Sequence, residues 1–206
     1  MMGQTADGAA RIVLASASPS RHRLLENAGV AHSLEAAHID EEQIKLAMKE
    51  EGVPVIAVAE ALAELKARKV SLKHPGFLVI GADQMLEVEG EWLDKPRDVK
   101  EAARHLLRLS GKEHSLPTAA VAVLDGQRIW HHLETPRLTM RSFDESFVER
   151  YLEKAGDSVL TSVGAYQLEG VGAQLFSKVE GNFFAILGLP LLPLLSFLRA
   201  RGLLPS

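Results

Sequence analysis

The sequence predicts an α/β protein built on a mixed β-sheet, and three observations carry that expectation. Short apolar runs alternate with longer amphipathic stretches, Glu89-Gly90 and Asp125-Gly126 sit between strand-like segments as hairpin turns, and no long linker, low-complexity tract or fixed-period repeat divides the chain. Alternating strands and helices point to one domain over residues 1–206, with residues 1–10 expected as a flexible N-terminus. The hairpins make the sheet mixed and not purely parallel.

Arg11 to Ala15 reads as a buried strand. Ser16-Ala17-Ser18-Pro19-Ser20 follows, then Leu24, Leu25 and Ala28 at helical spacing up to Gly29; Ser18 suits the N-cap, Pro19 the first turn and Gly29 the C-terminus. Residues 35–51 hold six acids (Glu35, Asp40, Glu41, Glu42, Glu50, Glu51) against Lys45 and Lys49, the pattern of a solvated face with room for one or two reactive groups. Pro54 to about Leu72 is a helix with Val58, Leu62, Leu65 and Val70 at apolar spacing and Lys66 on one side. Phe77 to Ala82 is a continuous buried strand that delivers Asp83 at its end, at a sheet edge. Met85–Val88 and Trp92–Leu93 flank the first turn, and Pro96 with Asp98 opens a helix through Leu109. After Gly111 a strand-like run through Leu124 returns via Ile129, Leu133 and Leu138 as one long hairpin. Phe143 to Leu152 is helical, Val159 to Val179 is a glycine-punctuated β region, and Leu189 to Arg199 is a closing helix that starts at Pro190.

Composition narrows the chemistry. With 47% hydrophobic and 24% charged residues the chain is an ordinary globular protein, long enough to bury a sizeable core. A net charge of −4 argues against a nucleic acid polymer as partner, as do only two Trp, two Tyr and seven Phe with no stacking array. The absence of cysteine excludes disulfides, thiolate metal sites and Cys nucleophiles. Ile12 to Ala17 is too short for a signal core, and the apolar run Ile186 to Leu198 carries Pro190 and Pro193 and falls short of a membrane span, so the default expectation is cytoplasmic with no membrane partner.

Familiar motifs fail on reading. Gly111-Lys112 is followed by Glu113, Gly170-Val171-Gly172 lacks the rest of a dinucleotide fingerprint, and no G-x-S-x-G or H-E-x-x-H occurs. The adjacent His131-His132 should point to opposite faces of a strand.

Four segments hold positive signals, each with a plainer alternative. Ser16-x-Ser18-Pro19-x-Arg21 lies in an acid-free stretch from Gly8 to Leu25, where exposed helix amides, two hydroxyls and an Arg suit a phosphate; it serves equally as a capped basic helix. Asp83 at a strand end can be a general base or hold a divalent cation, or simply cap a turn. Lys95-Pro96 can aim an ammonium at the sheet edge or be an exposed turn. Gly164-Ala165-Tyr166-Gln167-Leu168-Glu169-Gly170-Val171-Gly172 lets backbone approach a flat ligand, with Glu169 accepting from a base edge, or forms a bulged turn with a solvated Glu.

Taken in order, these segments resemble the Maf family of nucleoside triphosphate pyrophosphatases over nearly the whole chain. The resemblance rests on Leu14-Ala15-Ser16-Ala17-Ser18-Pro19-Ser20-Arg21 with Leu24-Leu25, then Asp40-Glu41, Leu62-Ala63 with Lys66-Ala67, Gly81-Ala82-Asp83, Lys95-Pro96, Leu109-Ser110-Gly111, Gly164-Ala165-Tyr166 with Glu169-Gly170, and Gly188-Leu189-Pro190-Leu191. It implies an elongated mixed β-sheet flanked by helices, with two lobes around a central cleft, like that of the inosine triphosphate pyrophosphatase superfamily. It also implies hydrolysis of a nucleoside triphosphate between the α and β phosphates, to a monophosphate and pyrophosphate, with a divalent metal cation (Mg²⁺ or Mn²⁺). Asp83 matches the family's proton acceptor, and Ser16, Ser18, Arg21, Glu41, Lys66 and Lys95 match its other polar positions. On that reading Arg21, Lys66, Lys95 and the helix N-terminus at Ser18 hold the triphosphate, while Glu41 and Asp83 hold the metal.

The same resemblance marks three positions for the base. A branch acting on dTTP and UTP has Arg, Thr and Gln where this chain has Ser20, Gln84 and Glu169, and a branch acting on 7-methyl-GTP has an aromatic, Gln and Glu. Gln84 and Glu169 resemble the second, and Ser20 matches neither. The expectation is therefore a pyrophosphatase clearing a modified nucleotide such as 7-methyl-GTP, with dTTP, UTP or broad specificity as the alternative. A nucleotide-binding regulator of septum formation without turnover is the reading of another class; it needs the phosphate cradle but not Asp83, Glu41 and Lys95 together. The resemblance is compatible with a homodimer.

Overall fold

The structure is a computed structural model that describes residues 11–205, so the N-terminal stretch 1–10 lies outside the described residues. In chain order the elements are β1 (Ile12–Leu14), α1 (Pro19–Asn27), β2 (Ser33–Leu34), α2 (Glu41–Glu50), α3 (Val55–Ser71), β3 (Leu78–Gln84), β4 (Glu87–Val88), β5 (Glu91–Trp92), α4 (Val99–Leu109), β6 (Glu113–Ser115), β7 (Thr118–Leu124), β8 (Gln127–Glu134), β9 (Arg137–Met140), α5 (Glu145–Ala155), β10 (Phe176–Glu180), α6 (Phe183–Ile186) and α7 (Leu191–Ala200).

The strands form two five-stranded sheets, ordered β2-β1-β3-β7-β8 and β10-β9-β6-β4-β5. In the first sheet β1 runs parallel to β2 and β3 while β7 and β8 are antiparallel, which makes it mixed; the second is antiparallel throughout. The elongated sheet expected from the sequence is thus a pair of sheets. They are joined because three chain segments leave one sheet and enter the other: β3 into β4 through Met85-Leu86, β6 into β7 through Leu116-Pro117, and β8 into β9 through Thr135-Pro136. The long hairpin is present, but both of its arms change sheet at a proline, where the missing N–H interrupts the ladder. Backbone bonds tie the crossing together, with the Leu116 N–H donating to the Pro136 carbonyl at 2.9 Å and the Met85 N–H to the Pro117 carbonyl at 2.9 Å.

Strand alternation sorts the first lobe into two layers. Val13, Val79, Val121 and Val123 face α3 with Val58, Leu62 and Ala63, whereas Leu14, Ile80, Ala120 and Ala122 face α1 and α7 with Leu25, Leu194 and Leu198. A separate core in the second lobe packs Leu106 and Leu109 of α4 and Val148 and Tyr151 of α5 against Leu138 and Met140. No helix of the described residues is long and apolar enough to cross a membrane.

Two sequence expectations are corrected. Asp83 does not follow the strand but lies within β3, paired opposite Ala119, and β3 is a central strand. Its access comes from a short neighbour: β1 stops opposite Ile80, leaving the last turn of pleat uncovered on that side. The region Val159 to Val179 is not β except for its end. It forms 3₁₀ turns at Gly156–Leu160, Val163–Ala165 and Val171–Leu175 before β10, because Gly164 (φ 74°) and Ala165 (φ 61°) are consecutively left-handed, a conformation no strand can continue.

One glycine governs the distance between α3 and the sheet. A Cβ at Gly81 would lie 2.1 Å from the Ala63 carbonyl oxygen and 2.9 Å from the Ala67 Cβ. Gly81→Ala is expected to destabilise the protein by at least about 3 kcal/mol through overpacking, read as a lower midpoint in urea unfolding.

Candidate active site

The alternation that puts Val79 and Gly81 against α3 also aims Asp83 at that helix, where it meets Lys66. Both side chains are buried, at 5% and 7% residue exposure. The Lys66 ammonium donates to Asp83 Oδ1 at 2.5 Å and lies 2.9 Å from Glu41 Oε1, so one cation serves two carboxylates. Glu41 arrives from the first turn of α2, which Asp40 caps by accepting from the Gln43 N–H at 3.0 Å. Asp83 Oδ2 is buried without a hydrogen-bond partner among the described residues. A buried carboxylate oxygen left unpaired is costly unless something outside the protein completes it.

The opposite wall is cationic. Ser18 caps α1 as expected, accepting from the Arg21 N–H at 3.5 Å, with Pro19 in the first helical turn and Gly29 left-handed past the end. Ser16 Oγ accepts from the Ser18 N–H at 3.1 Å and from Arg21 Nη1 at 3.2 Å, and Arg21 Nε donates to the Gly188 carbonyl at 2.8 Å. These bonds fix the guanidinium without a carboxylate partner among the described residues. Removal from water lowers its proton affinity, which Asp83 and Glu41 partly restore. Lys95 faces the same space, its proton affinity lowered by partial removal from water and then by the Arg21 charge. Ser16, Ser18, Arg21, Glu41, Lys66, Asp83 and Lys95 all line one cleft of about 780 Å³ between the lobes.

Lys45 and Arg97 also line this cleft and were not singled out by the sequence. The signal for Lys45 was its place four residues after Glu41, on the same face of α2. Its ammonium donates to Asp94 Oδ1 at 2.5 Å, across the cleft; burial is the largest single effect and works against its charge, but that bond and the charges of Asp94, Asp83 and Glu41 together hold it above the usual lysine range. His131 and His132 do diverge, His131 to Glu60 at 2.5 Å and His132 to Glu134 at 3.0 Å. Among the described residues no cluster of three or more His, Cys, Asp or Glu forms a metal cage.

Ser20, Gln84 and Glu169 meet in a smaller pocket of about 70 Å³ that shares Ser18, Arg21, Gln84 and Lys95 with the cleft. Gln84, one residue on from Asp83, points to the other face of the sheet. Its amide nitrogen donates to Thr118 Oγ1 at 3.0 Å and to the carbonyls of Ala185 at 2.8 Å and Ile186 at 3.1 Å. With its donors committed to the fold, Gln84 can offer a ligand only its carbonyl oxygen.

The pocket's remaining wall is the turn-rich segment around Tyr166. Ser162 Oγ donates to the Tyr166 carbonyl at 2.6 Å, Tyr151 Oη to the Ala165 carbonyl at 3.1 Å, and Gln167 Nε2 to Thr161 Oγ1 at 3.1 Å. The Tyr166 hydroxyl meets His114 Nε2 at 2.7 Å, and His114 Nδ1 is buried without a partner among the described residues. Burial pushes the His114 imidazole down to about 4. Its neutral form in the fold against a free value near 6.5 means that the unfolded chain binds more protons between those pH values, so stability is complete above pH ~6.5 and falls as pH drops toward ~4. His114→Leu is expected to flatten that stretch of the stability profile by up to about 3 kcal/mol, measured by urea unfolding between pH 4 and 7.

This arrangement, a shared ammonium between two carboxylates facing a Ser-Arg helix terminus, has relatives of known name. The sequence profile of the Maf-like protein family matches residues 11–201. The nucleoside triphosphate pyrophosphatase of Paramagnetospirillum magneticum is 56% identical over 92% of this chain and 98% of its own. The 7-methyl-GTP pyrophosphatase of Brucella abortus is 48% identical over 92% of this chain and 95% of its own. Among solved structures, a nucleoside-triphosphatase (dITP/XTP pyrophosphatase) of Mycobacterium abscessus aligns over 93% of this chain and 95% of its own at 20% identity and a TM-score of 0.44. With a profile match from the first strand to the end of the last helix and relatives near half identity over almost full length, the chain belongs to the Maf-like protein family.

Proposed function

We propose that this protein hydrolyses a nucleoside triphosphate between its α and β phosphates, releasing a nucleoside monophosphate and pyrophosphate. The observation that carries the reading is the pairing of Asp83 and Glu41 on Lys66 at one wall of a cleft whose other wall presents Arg21, Lys95 and the N-terminus of α1. The names of the relatives, nucleoside triphosphate pyrophosphatase and 7-methyl-GTP pyrophosphatase, support the same reaction.

The residues derive the roles. Arg21, fixed by Gly188 and Ser16, and Lys95, with no fixed partner among the described residues, neutralise phosphate oxygens, and the N-terminus of α1 adds its dipole. Asp83 accepts a proton from the water that attacks the α-phosphorus; the new P–O bond forms as the bond to the bridging oxygen breaks, and pyrophosphate leaves with that electron pair. Lys66, bonded to both, orients Asp83 and Glu41 toward the cleft. A hard divalent cation fits here, because Asp83 Oδ2 is unpaired and both Asp83 and Glu41 offer carboxylate oxygen, the donor that Mg²⁺ or Mn²⁺ takes together with phosphate oxygens and water. When bound, such a cation lowers the pKa of water and offsets phosphate charge.

For the base, Gln84 and Glu169 both present acceptors to the small pocket. A guanine edge has adjacent N1–H and amino donors, whereas uracil and thymine have one donor beside an acceptor, so the pocket favours a guanine-type nucleotide such as 7-methyl-GTP.

The test is pyrophosphate release from 7-methyl-GTP, GTP, dTTP, UTP and CTP with Mg²⁺ or Mn²⁺, compared as kcat/KM. The highest value is expected for 7-methyl-GTP; a preference for dTTP or UTP would overturn the base assignment, and tight binding without release would make the protein a nucleotide-binding regulator. Asp83→Asn is expected to lower kcat at least about 100-fold with the fold intact by circular dichroism. Glu169→Gln is expected to reduce the preference for 7-methyl-GTP over UTP about tenfold.

A further inference from the structure

The side chain that the preceding account leaves without a purpose is His114. It is 2% exposed, sits on β6 with ring neighbours Tyr166 and Phe176 at 5.7 and 6.1 Å between centroids, and makes a single side-chain hydrogen bond, to the Tyr166 hydroxyl. Its other ring nitrogen has no partner among the described residues. For packing alone this is a poor choice, since an apolar side chain would fill the same space without leaving a polar atom unpaired. What an apolar side chain cannot do is fix the position of a hydroxyl.

Tyr166 is the joint of the pocket wall. Thr161, Ser162 and Val163 before it and Gln167, Leu168 and Glu169 after it all line the pocket, as does Tyr166 itself. With Gly164 and Ala165 both left-handed, this stretch belongs to neither a strand nor an α-helix, so side-chain contacts decide where it rests. Among the described residues, His114 is the one group that ties the Tyr166 hydroxyl to a strand. β6 is held opposite Leu138 of β9 and runs through Leu116-Pro117 into β7, whose Thr118 receives the Gln84 amide. One short stretch of chain, 114–118, therefore anchors both walls of the pocket.

We infer that His114 is a positioning residue for the nucleotide base, holding Tyr166 so that the Gln167–Glu169 wall stands at the right distance from Gln84. This rests on the nucleotide reading of the site and assigns to the base pocket a residue that does not touch ligand. Burial keeps the imidazole neutral well below physiological pH, so the bond to Tyr166 is permanent under working conditions and not a switch.

The test compares the full-length wild type with His114→Leu, His114→Gln and Tyr166→Phe by calorimetric binding of 7-methyl-GMP, UMP and tripolyphosphate, the last lacking a base. His114→Leu and Tyr166→Phe are expected to weaken the better-bound monophosphate about tenfold and to leave tripolyphosphate unchanged. In turnover the same loss appears as a higher KM with kcat of His114→Leu within about twofold. His114→Gln, whose amide reaches the place of Nε2, is expected to recover most of the binding. Unchanged monophosphate binding, or an equal loss for tripolyphosphate, would overturn the inference in favour of a packing role. If His114→Leu does not fold, Tyr166→Phe decides alone, since it keeps both rings and removes only the hydroxyl. A wild type that binds monophosphate but releases no pyrophosphate would overturn the hydrolase reading and leave this inference standing.

Discussion

Three chain segments cross from one sheet to the other at a single level, and the site is built on that crossing. Because β3, β7 and β8 each continue into the second lobe within two residues of their ends, the lobes cannot be repositioned without breaking backbone bonds such as Leu116 to Pro136. The residues next to the crossing inherit that rigidity. Asp83 and Gln84 are the last two of β3, Thr118 is the first of β7, and His114 lies just before the break in β6. Adjacent positions in a strand face opposite ways, so Asp83 and Gln84 deliver a carboxylate and an amide to two pockets that share a rim. A site placed on strands in this way is held more tightly than one assembled from loops alone.

Electrostatics reconcile an acidic chain with a polyanionic ligand. Asp and Glu outnumber Lys and Arg by 27 to 23, yet much of the excess is spent away from the cleft, in ion pairs such as Arg108 with Glu89 and Glu91, Arg128 with Glu60 and Glu64, and Lys73 with Glu35. Those pairs are partly exposed to solvent, which screens them, and each contributes little stability. Inside the cleft the balance is different, because Arg21 is held by neutral groups and keeps its charge available. Lys66 is held differently from Arg21. Its ammonium is committed to two carboxylates, whose mutual repulsion it offsets.

Local chemistry was legible in the sequence and long-range pairing was not. Ser18, Pro19 and Gly29 mark α1 because a cap acts over one turn, and Glu89-Gly90 and Asp125-Gly126 mark their turns because left-handed backbone demands those residues. All ten site residues proposed from the sequence line the two pockets. The division into two sheets escaped because apolar alternation continues through Pro117 and Pro136, and only the partners of each strand reveal the change. The extent of β3 escaped for a related reason, since Asp83 and Gln84 are polar residues kept in the strand by pairing with Ala119 and Thr118. His114 had no local signal at all; its meaning lies in a contact 52 residues away.

Helix α2 supplies Glu41, yet none of its residues is fully buried, and Ile44 and Met48 only brush the core beneath α3. What pins it to the far wall is polar: Lys45 on Asp94, Lys49 over the Trp92 ring at 5.1 Å, and a loose 3.7 Å pairing of Glu42 with Arg97. Segments with so little apolar anchorage open at a free energy well below that of global unfolding. Any ligand that engages Glu41 is therefore thermodynamically linked to the order of α2, each raising the population of the other. Backbone amides of α2 will exchange with solvent sooner than those of α3, and occupancy of the cleft will narrow that gap, so the molecule carries in one surface helix an internal gauge of whether its site is filled.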